Sequence, residues 1–252
     1  MKILRVEKGL CVALVLALSC LAAQAAPPDT VDIAHSGYGA YDPEGVAVWG
    51  ADHDGTVIYG GVYMLNKTAD TGHGNIWPNG LIGGFCIELH EAAPDSTLTY
   101  DVISPKNAYN SFLGESIGTG KANYLSELWG RFYNPAWASG GPLCPEQNSD
   151  AEAFAAAVWE IIYEDLPTSP AGWDVTADGT VCNRGFRCEN ANTALANSWL
   201  HSLTGCGPKA DLRAFVYNGG QDYITQVPEP ATIALLGLGG VMSLLTRRRR
   251  SL

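Results

Sequence analysis

A 16-residue apolar run, Ala231 to Thr246, ends against Arg247, Arg248, Arg249 and Arg250, which takes the C-terminus out of any globular fold. A positive cluster behind an apolar segment is a stop-transfer signal, because it stays on the cytoplasmic side of a membrane. The run is shorter than the ~20 residues a spanning helix needs. It also carries Gly237, Gly239 and Gly240, which weaken a helix, so transient membrane anchoring is expected. The N-terminus matches: Lys2, Arg5 and Lys8 precede the apolar stretch Leu10 to Leu21, and Ala23-Gln24-Ala25 is a small-x-small cleavage site. Residues 1–25 therefore read as a signal peptide. Folding is left to residues 26–226, enough chain for one core.

Charge narrows the partners of that body. The chain has 26 acidic and 15 basic residues; Glu7 and Glu229, and Lys2, Arg5, Lys8 and the four terminal arginines, belong to the end segments. The body keeps 24 acidic and 8 basic residues, a net charge of −16. Nucleic acid and anionic lipid both require basic patches and are excluded as partners. Divalent cations or cationic matrix components suit such a surface better.

Of seven cysteines, Cys11 and Cys20 fall in the signal peptide, leaving Cys86, Cys144, Cys182, Cys188 and Cys206. Export places them where disulfides form. Cys144, Cys182, Cys188 and Cys206 lie in loop-like stretches and are disulfide candidates for two bridges, with three pairings open. Cys86, in an apolar strand-like run, is expected to stay a free thiol.

The pattern of the body predicts an α+β fold: an antiparallel β-sandwich or barrel with about three helices packed at one side. Gly45 to Trp49, Thr56 to Tyr59, Gly61 to Leu65, Gly84 to His90 and Thr97 to Ile103 are short β-branched or aromatic runs separated by Gly, Asp and Asn. Lys121 to Tyr133 has helical spacing. A second helix is predicted from Ser149, with Glu152 closing a capping box, through Ile162. Trp173 to Cys182 suggests a hairpin around Asp178-Gly179. Ala191 to Leu203 reads as a third helix; Ala214 to Tyr217 and Gln221 to Thr225 are final strands. Ala26 to His35 looks like a linker.

Two resemblances emerge from these residues. Val227-Pro228-Glu229-Pro230, the apolar run and the arginines resemble the PEP-CTERM sorting signal over residues 227–252. That resemblance implies recognition by the membrane enzyme exosortase and delivery to the cell surface or extracellular matrix. Gly84-Phe85-Cys86-Ile87-Glu88-Leu89 and Ala153 to Tyr163 resemble the paired signatures of bacterial thioester domains. In that family a strand cysteine and a glutamine condense into an internal thioester that couples to amines. The resemblance places the cysteine at Cys86 and the glutamine at Ala155, with Trp159 matching downstream. Alanine has no carboxamide, so the expectation is a thioester-domain scaffold without the bond.

Other candidate chemistry is sparse. Cys86, Glu88 and His90 would share one face of a strand and could bind a metal or form a nucleophile pair; a buried core cysteine is the plainer meaning. Asp52 and Asp54, in Asp52-His53-Asp54-Gly55, resemble the opening of a calcium loop, though a hairpin turn requires no metal. Glu160, Glu164 and Asp165 form a negative patch at a helix C-terminus. Trp77 and Trp137 lie in Pro/Gly-rich loops and could stack on sugar rings. No catalytic motif or cofactor signature is present. The expected function is a non-catalytic structural or adhesive role, with alternatives of a polysaccharide-binding module, with or without calcium, and a covalent thioester adhesin.

Overall fold

A computed structural model describes residues 28–177 and 185–229. The signal peptide, Cys182, Pro230, the apolar segment predicted to anchor in a membrane and Arg247 to Arg250 lie outside the described residues, as does the predicted turn at Asp178-Gly179. Among the described residues no helix is long and apolar enough to cross a membrane.

In chain order the elements are β1 (Thr30–Tyr41), β2 (Val46–Gly50), β3 (His53–Ile58), β4 (Gly61–Thr71), β5 (Gly80–Cys86), β6 (Leu98–Ile103), β7 (Tyr109–Asn110), β8 (Glu115–Ser116), α1 (Gly118–Phe132), α2 (Pro145–Tyr163), β9 (Arg187–Glu189), α3 (Thr193–Ser202), β10 (Leu212–Tyr217) and β11 (Gly220–Gln226). Six strands close a barrel in the order β1-β4-β5-β11-β10-β6, with every pairing antiparallel. Closure leaves that sheet without an exposed edge. The fold is α+β, as the pattern predicts.

Strand β1 corrects the linker reading of Ala26 to His35, since Thr30–Tyr41 pairs with both β4 and β6 and closes the barrel. Three register shifts along its pairing with β4 break the alternation that would have marked it as a strand.

Alternation along β5 sends neighbouring side chains to opposite faces. Phe85 points out to the helices, where its ring meets Trp129 at 5.2 Å and Phe154 at 4.9 Å. Cys86 points the other way, on the face shared by its cross-strand partner Tyr223 and by Tyr63, which pairs with Gly84. The rings of Tyr63 (β4) and Tyr100 (β6) approach Tyr223 (β11) at 5.5 and 6.0 Å, so three strands converge on this face.

Helix α2 packs against α1, α3 and the β1-β4-β5 side of the barrel, and every residue from Ala151 to Tyr163 is buried. Its sequence is apolar almost all round, as a helix enclosed on all sides must be. The predicted capping box is not formed. The helix starts at Pro145, where the missing N–H costs nothing, so Ser149 and Glu152 lie in its second turn. Glu152 is 2% exposed and its Oε1 has no hydrogen-bond partner. The predicted patch at the end of α2 is structural in part: Glu160 accepts from Asp174 N at 2.8 Å and Glu164 from Phe186 N at 2.7 Å. These bonds tie the flanks of the 174–186 connection to the helix. The predicted strand Trp173 to Thr176 is a turn after a short 3₁₀ segment, with Val175 O accepting from Cys188 N.

Candidate functional site

Strand β5 ends at Cys86, three residues after Gly83 passes within close reach of Ala138; a Cβ at Gly83 would lie 2.5 Å from that side chain. The next residue, Ile87, donates its N–H to Asp222 O at 3.0 Å and holds β11 alongside. Cys86 is 1% exposed and Gln221, two residues before its partner Tyr223, is 5% exposed. Gln221 Nε2 donates to Cys86 Sγ at 2.8 Å, within the buried interior and across 135 residues of sequence. For sulfur, a larger acceptor than oxygen, that is a tight contact. Exchanging the two ends of the amide leaves the carboxamide carbon beside the sulfur all the same.

The backbone on both sides is held. Trp159 Nε1 of α2 donates to Cys86 O at 3.0 Å, and Leu89 N donates to Tyr163 Oη at 2.8 Å. Tyr100 Oη donates to Gln221 O at 3.3 Å and Gln221 N to Ala92 O at 3.2 Å. The two side chains are thus presented to one another by groups that cannot easily shift. Trp159→Phe keeps an aromatic ring but orphans the buried Cys86 carbonyl. It is expected to destabilise the body by about 1–3 kcal/mol, read from the urea midpoint at constant m-value.

Burial pushes the Cys86 thiol up to about 12, and the Glu88 and Asp222 carboxylates add to the effect. At neutral pH the group is a thiol carrying its proton, which disfavours a metal thiolate. The candidate trio Cys86, Glu88 and His90 does not share one strand face: β5 stops at Cys86, a bend follows at Ile87, and His90 lies in a turn beyond Glu88. Glu88 instead accepts from Ser111 N and Ser111 Oγ at 2.9 and 2.7 Å, and His90 Nε2 lies 2.7 Å from Ser111 Oγ.

Gln221 and Asp222 face opposite sides of β11 and border different clefts. Gln221 borders one of about 350 Å³ with Tyr38, Tyr59, Tyr63, His53 and Glu91. Asp222 borders one of about 480 Å³ with Glu88, Glu91 and Asp101. Ligand atoms of Glu88, His90 and Glu91 lie within 4.8 Å of one another, the one group of this kind among the described residues. Asp52 and Asp54 are not part of it. Asp52 takes a positive φ of 65° in the turn between β2 and β3, and Asp54 pairs with Trp49.

The other expected sites fall out differently. Ala155 is buried in α2 and presents no carboxamide; the carboxamide that faces Cys86 belongs to Gln221 on β11. Trp159, matched in the same signature, does reach the cysteine. Among the described residues Cys86, Cys144, Cys188 and Cys206 are all free thiols, with Cys188 buried and Cys144 and Cys206 exposed. Two bridges among four cysteines would join two of these three to each other, so the two-bridge scheme is not formed. Trp77 and Trp137 are each 2% exposed, which removes them as sugar-stacking platforms. Trp77 Nε1 is spent on Gln226 O at 3.0 Å.

At the far end of β11 the chain runs directly into Val227, Pro228 and Glu229, with Val227 N donating to Asp211 O at 2.8 Å. Residues 226–250 match the PEP-CTERM protein-sorting motif. The chain is therefore an exported protein processed by exosortase at the membrane, with transient anchoring before processing. No curated protein and no solved structure matches the chain.

Proposed function

We propose that this exosortase substrate is a surface protein that joins Cys86 to Gln221 in an internal thioester and uses it to attach covalently to a primary amine on a target. The observation that carries this reading is the buried 2.8 Å contact between Gln221 Nε2 and Cys86 Sγ. The sequence placed the covalent adhesin behind a structural or adhesive role because the family's glutamine position is Ala155; Gln221 offers the carboxamide that position lacks. The resemblance of the Cys86 and α2 segments to thioester domains supports the same reading.

The chemistry balances without a cofactor. The Cys86 sulfur bonds to the Gln221 carboxamide carbon, the C–N bond breaks, and the nitrogen leaves as ammonia with the thiol proton. Holding both groups in contact converts a bimolecular step into an intramolecular one. Burial keeps water from the acyl carbon, while the cleft beside Gln221 gives a slender amine an approach. Amine attack then forms an amide at Gln221 and returns Cys86 as a thiol. Each molecule reacts once and remains joined to its target, so the protein is an adhesin rather than a turnover enzyme. A cell-surface or matrix location follows from the same reading.

The test is labelling of the exported body with a fluorescent primary amine, followed by peptide mapping. The label is expected at residue 221 and to be absent from Cys86→Ser. Labelling elsewhere, or equal labelling of Cys86→Ser, contradicts the proposal.

A further inference from the structure

Within the thioester reading, we propose that Tyr63 is a catalytic residue whose hydroxyl donates a hydrogen bond to Gln221 Oε1 as that oxygen gains negative charge. Sulfur attack on the carboxamide carbon pushes the carbonyl electrons onto Oε1, and this oxyanion requires a donor in a site without water. In the resting fold Gln221 Oε1 is buried and has no hydrogen-bond partner of good geometry. A buried acceptor without a partner costs free energy in the resting fold, and a chemical step in which a donor closes on it gives that cost a reason.

Tyr63 is placed for this. It pairs with Gly84 across β4 and β5, so no side chain stands between its ring and the Cys86 face. It borders the same cleft as Gln221 and is 6% exposed, and its hydroxyl has two hydrogen-bonding neighbours, the Tyr38 hydroxyl and the Gln221 amide, whose N–H end faces it at rest. Turning that amide end for end brings Oε1 to the Tyr63 hydroxyl and leaves the carboxamide carbon in place. Its ring is fixed from two sides, by Tyr223 at 5.5 Å and Tyr38 at 5.0 Å. Burial raises the phenol well above its ordinary range, so it keeps its proton and remains a donor. Through the step Tyr63 keeps that proton; the ammonia takes its own from the Cys86 thiol. The same oxyanion recurs when an amine opens the thioester, so one donor serves both reactions. Tyr223 is the competing donor, since its hydroxyl is also buried and unpartnered and its residue pairs with Cys86.

The experiment follows ammonia loss by intact mass after refolding, and then the rate of opening by methylamine, in wild type, Tyr63→Phe and Tyr223→Phe. Removing an oxyanion donor is expected to slow both rates by about 10²–10³-fold in Tyr63→Phe at an unchanged melting temperature. Tyr223→Phe should stay near wild type. Equal rates in wild type and Tyr63→Phe, or slowing confined to Tyr223→Phe, overturn the assignment while leaving the thioester intact. Wild type that never loses ammonia overturns both. Should Tyr63→Phe misfold, 3-fluorotyrosine at position 63 preserves shape and makes the phenol more acidic; an altered opening rate supports the role, and an unaltered one rejects it.

Discussion

Gln221→Glu is expected to abolish amine capture completely while leaving the fold in place. Glutamate at 221 preserves length and shape, but its condensation with Cys86 would have to expel hydroxide or water rather than ammonia. A carboxylate beside a thiol is also a poor electrophile. The substitution adds a buried carboxyl next to Asp222, so a lower melting temperature accompanies the loss; Gln221→Ala checks the chemistry without that charge. Both variants should keep full mass and take up no methylamine, a loss of at least 10³-fold against the positioned wild-type pair. Gln147→Ala, which alters a carboxamide near the start of α2, should behave as wild type. Capture surviving in Gln221→Ala would place the acyl donor elsewhere.

A large pH dependence of stability is the second expected result. Burial holds the Asp222 carboxyl up at about 8, reinforced by Glu88 and Glu91, and burial holds Glu152 at about 8, with Asp42 adding to it. Both folded-state values lie above the ordinary carboxylate range, so the unfolded chain binds fewer protons between about pH 4 and pH 8. Stability therefore falls as pH rises through that window and levels off above it. Each group contributes about 1.4 kcal/mol per pH unit. The body should melt highest in mild acid and lose several kcal/mol by pH 8. Asp222→Asn keeps an acceptor for Tyr217 N, and Glu152→Gln removes a buried charge, so the double variant should flatten the profile. Urea midpoints that rise from pH 5 to pH 8 in wild type would refute this.

Much of the architecture was legible because it is locally encoded. Leu125, Leu128 and Trp129 in α1, Phe154 to Ile162 in α2, and the β-branched runs of β2, β6, β10 and β11 show their periods within a few residues. What was missed is non-local. Bulges in β1 hide its alternation, and only pairing with β4 and β6 reveals it as a strand. Trp77 and Trp137 sit among loop residues, yet the barrel and helices cover them. The cysteine of the site was readable as an unusual residue in an apolar strand. Its partner was not, because 135 residues separate it from Gln221 and only the β5–β11 pairing brings them together. A signal was present: Gln221 is a carboxamide two residues before Tyr223, on the inward parity of a strand that must pair to be stable. The helix signature still had meaning, since Trp159 clamps the carbonyl of Cys86, though the residue at 155 is not the acyl donor.

Intact mass of the untreated, exported body tests the central claim most directly. The account predicts a product lighter than its sequence by one ammonia, about 17 Da, with Cys86 resistant to alkylation after denaturation in acid. A product at full sequence mass whose Cys86 alkylates freely under those conditions would contradict it.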